Sequence, residues 1–267
     1  ENFAKNLINE NPNIVFLYNL LGLILTEQKK IEEALECYEK GIKIDPKYAM
    51  IYNNLGTIYK YKEDYKKAEN FYKKSVELDQ KIAEPLNNLG NLYDLLNKNK
   101  ESIIYYKKAV NINPKFFVAH YNLGLTYKSI GKFENAKKHL KEAIKINPYF
   151  FAAHRNLSLI NKYKSEDEHF KVLKKIYTNI NDKDLQKTEL SFALGKAYED
   201  IKDYKQSFKY YNEGNNLRRK VINFSTNEIK KEFENIKNVF SKELFEKYKK
   251  IGYKDKSAIF IVGMPRS

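Results

Sequence analysis

The stretch AMIYNNLGTIYKYKEDYKKAENFYKKSVELDQKI, residues 49–82, decides the fold of this chain. Outward from it in both directions, the same features return at a fixed step of 34 residues. One column of the repeat is glycine, and a second column is tyrosine. The glycines are Gly22, Gly56, Gly90 and Gly124, and the tyrosines are Tyr38, Tyr72 and Tyr106. Because several columns keep register over four copies, the chain is built from an internal repeat.

A 34-residue period with this residue pattern is typical of the tetratricopeptide repeat, a helix–turn–helix unit. The glycine column allows the two helices of one unit to cross closely, and the tyrosine column fills the space between neighbouring units. One unit cannot bury its apolar face alone, so the units stack side by side. The sequence therefore predicts an all-α fold, a right-handed superhelical solenoid of tetratricopeptide repeats.

Departures from the period divide the chain into segments. The period weakens after Pro148, and Gly195 restores the glycine column. An amphipathic pattern follows, in which Ser241 is a candidate N-cap for a second helix. We expect both ends of the chain to be cuts through a larger structure. In chain order we predict the end of an earlier repeat at 1–14, four regular repeats at 15–150, a degenerate repeat and loop at 151–187, a last repeat at 188–221, a helical linker at 222–252 and the start of a further domain at 253–267.

The last nine residues, IFIVGMPRS at 259–267, follow a different pattern. The run from Ile259 to Val262 is wholly apolar, as in a buried β-strand. After it, Gly263 lets the backbone approach a ligand closely, and Arg266 and Ser267 supply a cation and a hydroxyl. This order of residues predicts one strand that opens an anion-binding loop.

The same ending is similar to the start of sulfotransferase domains that use 3′-phosphoadenosine 5′-phosphosulfate. In that family the strand and the Pro-Arg-Ser run continue as Gly-Thr-Thr or Gly-Thr-Ser into a helix, and protein-tyrosine sulfotransferases carry a similar loop. The repeat at 192–200, with Asp203-Tyr204, Gly214-Asn215 and Leu217-Arg218-Arg219 after it, resembles the last repeat of bacterial tetratricopeptide-repeat sulfotransferases. The two resemblances agree in order and spacing.

This resemblance implies an α/β, P-loop-like sulfotransferase domain, of which the chain carries only the first strand. Such a domain transfers sulfonate from 3′-phosphoadenosine 5′-phosphosulfate to a hydroxyl, which could belong to a protein tyrosine, a saccharide or a small alcohol. Gly263, Arg266 and Ser267 would bind the phosphosulfate donor, and the catalytic base would lie beyond Ser267. The chain by itself is then expected to be inactive, with the repeats binding the acceptor or a partner.

Two other functions remain open on the residues alone. The chain could belong to a non-enzymatic scaffold whose repeats bind a partner protein or peptide. It could also belong to a glycosyltransferase with a similar repeat array, although the run Pro265-Arg266-Ser267 argues against that assignment.

A column of asparagines is the sharpest binding feature of the repeats. In a stacked solenoid one amide per repeat forms a ladder along the inner groove, and an amide both donates and accepts hydrogen bonds. We therefore predict that the ladder holds the backbone of an extended peptide. The alternative is that these amides only satisfy local backbone groups. The column consists of Asn54, Asn88, Asn122 and Asn156.

Composition excludes several other functions. The net charge is +15, but only four of the 49 basic residues are arginine, the residue preferred for phosphate and base contacts, so no nucleic-acid partner is expected. No run of residues is long and apolar enough to cross a membrane, and we expect a cytoplasmic protein. No metal site is expected either. His120 and His154 occupy the same core-facing slot, while His139 and His169 read as isolated.

Overall fold

The computed structural model describes residues 1–165, 167–180, 186–222 and 226–248. These residues divide into a repeat unit, Glu1–Arg218, and a second unit that begins at Arg219. Every regular element within the described ranges is a helix. The helices are α1 Asn2–Glu10, α2 Val15–Glu27, α3 Ile31–Ile44, α4 Ala49–Tyr61, α5 Tyr65–Leu78, α6 Glu84–Leu95, α7 Asn99–Ile112, α8 Phe117–Ser129, α9 Phe133–Ile146, α10 Phe151–Ile160, α11 Glu168–Asn179, α12 Lys187–Asp200, α13 Tyr204–Arg219, α14 Thr226–Val239 and α15 Lys242–Tyr248. The predicted all-α solenoid is confirmed, whereas the strand expected near 259–262 lies outside the described residues.

Within the repeat unit, the two helices of each pair have different roles. The first helices, such as α4, bury residues on several sides because they pack on their own second helix and on the first helices of neighbouring repeats. The second helices, such as α5, bury only one stripe, formed there by Ala68, Tyr72 and Ser75. This difference creates two distinct surfaces, a first-helix face and a second-helix side, on which partners can bind.

The glycine and tyrosine columns meet inside the first three regular repeats, and Gly124 meets Leu140 in the fourth. A Cβ atom added at Gly56 would lie 2.6 Å from Cδ1 of Tyr72, and one added at Gly90 would lie 2.5 Å from Cε1 of Tyr106. The Tyr72 ring is fully buried and also packs against Leu89 of the next repeat. The glycine therefore makes room for a ring that fastens one repeat to the next, as the sequence predicted.

The turn inside each regular repeat passes through left-handed backbone. Lys29, Glu63, Asn97 and Gly131 have φ values of 61°, 60°, 57° and 74°. Each turn is closed by a backbone hydrogen bond from the following residue to a carbonyl five residues earlier, such as Lys30 N to Leu25 O at 2.9 Å. Glycine tolerates this conformation at no steric cost, but only one of the four turns has it there.

The regular pairing changes after α9. Helix α10 packs mainly against α12, and α11 packs on α12 as well. The side chain of Asp167 caps α11 by accepting a hydrogen bond from the His169 backbone N–H at 2.9 Å. Phe170 and Leu173 of α11 then join the core of α12. The segment thus replaces one regular second helix by a displaced one.

The second unit contains α14 and α15 within the described residues. Helix α14 buries none of its residues, and the side chains of Phe233, Ile236 and Phe240 are exposed. Ser241 Oγ accepts a hydrogen bond from Leu244 N at 3.3 Å, which confirms Ser241 as the N-cap of α15. In the part of the chain that the structure describes, no helix has the length and apolarity needed to span a bilayer.

Candidate functional site

The asparagine ladder lies on the first-helix face and spans successive repeats. Asn54 is buried, whereas the other three members are half-buried. Each member donates its side-chain N–H to the residue 35 positions earlier, on the first helix of the preceding repeat. The Nδ2 atoms bond as follows: Asn54 to Asn19 Oδ1 at 2.8 Å, Asn88 to Asn53 Oδ1 at 2.9 Å, Asn122 to Asn87 Oδ1 at 3.0 Å and Asn156 to Tyr121 OH at 3.1 Å.

The N–H donors of the ladder therefore stabilise the stacking of repeats. Its Oδ1 acceptors differ in whether a neighbouring group already donates a hydrogen bond to them. Asn54 Oδ1 accepts from Asn53 Nδ2 at 3.2 Å, and Asn156 Oδ1 accepts from Lys128 Nζ at 2.7 Å. Among the described residues, no group donates a hydrogen bond to the Oδ1 atom of Asn88 or of Asn122. These two half-buried oxygens are the ladder atoms that can accept a hydrogen bond from a peptide N–H.

A charged cluster extends the ladder toward α12. Arg155 Nη1 lies 3.1 Å from Glu189 Oε2, and the Arg155 guanidinium stacks over the Phe192 ring at 4.8 Å from its centroid. Burial, reinforced by the nearby Arg155 charge, lowers the pKa of Lys128. Lys128 hydrogen-bonds an amide oxygen, and no carboxylate of the described residues is within ion-pair distance of it, so it adds an unpaired positive charge to the first-helix face.

Exposed apolar side chains lie on the same stripe as the ladder. Asn54, Thr57 and Tyr61 are spaced by three or four residues along α4, so they share one face of the helix. Tyr61 is 68% exposed, and Leu95 at the same slot of α6 is 55% exposed. The face thus combines amide acceptors, cationic groups and apolar contact area, which suits an extended protein segment.

Two histidine pairs lie beside the repeat junctions, which corrects the prediction that His139 and His169 are isolated. His120 Nδ1 is 3.1 Å from His139 Nδ1, and His154 Nδ1 is 2.9 Å from His169 Nε2. The sequence missed both partners because each lies on another helix at no fixed step from its neighbour. Periodicity along the chain carries no signal for such a contact.

The second pair belongs to a fully bonded chain of neutral groups. His154 Nε2 lies 2.9 Å from the Pro148 carbonyl, to which it can only donate, so His154 Nδ1 accepts from His169 Nε2–H. His169 Nδ1 in turn accepts from Tyr163 OH at 2.6 Å. In this arrangement a proton added to His154 Nδ1 would face the His169 Nε2–H, and a proton added to His169 Nδ1 would face the Tyr163 hydroxyl. Every nitrogen of the pair is used, so the network is structural.

Burial is the main cause of low basicity in all four rings. It lowers the pKa of His169 to about 3 and that of His139 to about 4, with smaller contributions from the paired histidine and nearby lysines. Burial also lowers the pKa of His120 and of His154. Among the described residues, no group of three or more His, Cys, Asp or Glu side chains could hold a metal ion.

The predicted donor-binding residues cannot be placed on this surface. Gly263, Arg266 and Ser267 lie outside the described residues, and so does the strand before them. Their role rests on the sequence pattern alone.

Comparison with known proteins identifies the repeats. Family models described as TPR repeat and tetratricopeptide repeat match residues 22–61, 48–115, 117–150 and 188–220. An uncharacterized protein of Aquifex aeolicus (strain VF5) is 31% identical over 105 residues, which is 39% of this chain and 14% of that protein. The chain therefore spans only a small part of the length of that relative.

Two solved structures share the fold. The Pseudomonas aeruginosa PilF structure has a TM-score of 0.58 at 19% identity, and the match covers 77% of this chain and 97% of the PilF chain. A chain of the APC/C hetero-tetramer Cut9-Hcn1 has a TM-score of 0.60 at 16% identity, and the match covers 80% of this chain and 42% of that chain. At such identities the likeness concerns the fold alone. With the matched segments and the stacked helix pairs in agreement, this chain belongs to the tetratricopeptide repeat family.

Proposed function

We propose that the repeat unit binds an extended protein segment along its first-helix face. The observation that carries this proposal is the open acceptor atom on Asn88 and on Asn122, beside exposed apolar side chains on the same stripe. A peptide N–H can bond each oxygen without breaking the bonds between repeats. Side chains of the segment can contact Tyr61 and Leu95, so binding would depend on backbone shape and on apolar area together.

We further propose that this face presents an acceptor, or a partner, to a sulfotransferase domain that begins near residue 253. The support is the pattern at 259–267 and its similarity to sulfotransferases that use 3′-phosphoadenosine 5′-phosphosulfate. The guanidinium of Arg266, the Ser267 hydroxyl and the Gly263 backbone N–H would hold the phosphosulfate group of the donor substrate and stabilise negative charge on the leaving oxygen. A non-enzymatic scaffold is the alternative.

The ladder makes a first testable prediction. Replacing Asn88 and Asn122 together by alanine should weaken binding of a fluorescein-labelled extended peptide with a central tyrosine by about tenfold, because each lost hydrogen bond contributes about 0.5–1.5 kcal/mol. Asn54→Ala is the matched control. It also removes a hydrogen bond between repeats, but the oxygen that it removes already accepts a hydrogen bond from Asn53. Fluorescence anisotropy on folded variants measures the effect. Equal affinities for all three proteins would make the ladder purely structural.

Arg266 makes a second prediction, for a protein that carries the complete domain. Arg266→Ala should lower sulfonate transfer from radiolabelled donor to a tyrosine peptide by ~100-fold or more, as loss of a charge-stabilising donor typically does. Arg219→Ala removes the same charge from the exposed end of α13 and should leave turnover unchanged. Unchanged turnover in Arg266→Ala would remove this residue from the reaction. Absence of any transfer by the unaltered protein would favour the scaffold.

A further inference from the structure

Several repeat junctions are closed by a hydrogen bond from an aromatic ring to the carbonyl of the residue six positions before it. The ring atom is a tyrosine hydroxyl or a histidine nitrogen, and the carbonyl always belongs to a proline. The bonds join Tyr52 OH to Pro46 O at 2.9 Å, His120 Nε2 to Pro114 O at 3.2 Å and His154 Nε2 to Pro148 O at 2.9 Å.

The junction between the repeat of α4 and α5 and that of α6 and α7 departs from this arrangement. Gln80 occupies the proline slot, and Leu86 occupies the slot of the ring. A leucine side chain has no hydrogen-bond donor and is smaller than a tyrosine or histidine ring. The main-chain carbonyl of Gln80 remains, but the ring that would donate to it is replaced by the smaller leucine side chain, which leaves space where the ring would lie.

A cavity of about 530 Å³ opens at this place, between α5 and α7. We call it the junction groove. Cavities at two other junctions, beside Tyr18 and beside His169, measure about 330 and 360 Å³. The junction groove is larger because no aromatic ring fills the position of Leu86. The groove is lined by apolar groups, among them Val76, Leu86 and Ile112, and by the charged residues Lys73, Glu77 and Lys108.

The charges around the junction groove do not cancel. Lys73 is paired with Glu69 at 2.6 Å, and Glu77 is paired with Lys74 at 3.7 Å. Lys108 lies over the Tyr105 ring, 5.2 Å from its centroid, and no carboxylate of the described residues is within ion-pair distance of it. The uncompensated charge at the edge is thus positive.

We propose that the junction groove binds a partner protein that inserts one large apolar side chain and places a carboxylate against Lys108. Its volume falls in the range of about 300–1,000 Å³ found for ligand-binding pockets, and a buried apolar anchor is the usual centre of a protein interface. A second copy of this chain is a poor occupant, because each copy carries a net charge of +15. The groove lies on the second-helix side, so it is independent of the ladder.

The test restores the closing bond that other junctions have. The variant Gln80→Pro with Leu86→Tyr reproduces the pair formed by Pro46 and Tyr52, so it should fold and melt at or above the temperature of the unaltered chain. The probe is a fluorescein-labelled peptide with one phenylalanine between aspartates and glutamates. We expect the double variant to bind it at least about tenfold more weakly, a change in binding free energy of about 1.4 kcal/mol.

Charge variants separate the electrostatic contribution. Lys108→Glu should weaken binding several-fold at low salt and less at high salt, while Lys43→Glu, the same change on an exposed residue of α3, should have no effect. Unaltered binding by the folded double variant would overturn the proposal, and so would failure of the full chain to bind the probe. Concentration-dependent self-association that the double variant abolishes would also overturn it, in favour of a second copy.

Discussion

Replacing Gly90 by leucine is expected to lower the free energy of unfolding of the repeat unit by about 3 kcal/mol, the upper end of the usual cost of overpacking. Even a Cβ atom there would lie 2.5 Å from the Tyr106 ring, which is almost completely buried. The ring cannot move aside, because it also packs against Leu123 of the next repeat. Overpacking should therefore weaken both the repeat and its junction.

Urea denaturation followed by circular dichroism measures this effect. Gly131→Ala is the control, because its Cβ would meet no atom within 4 Å although its φ is 74°. That variant should lose only about 1 kcal/mol, from backbone strain. A transition for Gly90→Leu at the same urea concentration as for the unaltered chain would show that the ring is not held as described.

Acidification is expected to destabilise the repeat unit through the histidine pairs. The pKa of His169 is about 3 in the folded chain and 6.5 in the absence of its surroundings, so the unfolded chain binds the proton first as pH falls. Its contribution to stability is full above about pH 6.5 and is lost progressively as the pH falls toward 3. The loss should be on the order of 3 kcal/mol by about pH 4, at 1.36 kcal/mol per pKa unit.

The pH dependence of urea midpoints tests this expectation. The double variant His139→Gln with His169→Gln keeps polar side chains at both places but has nothing to titrate, so its stability should change less between about pH 7 and 5. Carboxylates titrate mainly below that window. Lys141 lies near His169, and its positive charge disfavours protonation of that ring. Equal slopes for the two proteins would contradict the assignment.

Much of the repeat unit was predictable because its determinants are local. Its glycine and tyrosine columns and its helix pairs depend on spacing along one or two helices, and spacing is visible in the sequence. The same holds for the N-cap at Ser241 in the second unit. The donor-binding residues Gly263, Arg266 and Ser267 also come from the sequence, as a pattern whose test is experimental.

The turns and the histidines show where such prediction stops. Lys29 and Glu63 adopt left-handed backbone that their residue types disfavour, because the packed helices on either side impose the path of the chain. His169 meets His154 because α11 is displaced from the regular stacking, and the period of the sequence has no information about that displacement.

The sequence by itself determined that this chain is a stack of tetratricopeptide repeats, and it marked the asparagine column and the ending at 259–267. Only the tertiary structure decided what those amides do. Their donors bond the preceding repeat, and no group of the described residues donates a hydrogen bond to the Oδ1 atom of Asn88 or of Asn122. It also decided that a groove opens where Gln80 and Leu86 occupy the positions that hold a proline and an aromatic ring at other junctions. Both outcomes depend on how neighbouring helices pack, which sets distances between side chains that the sequence separates.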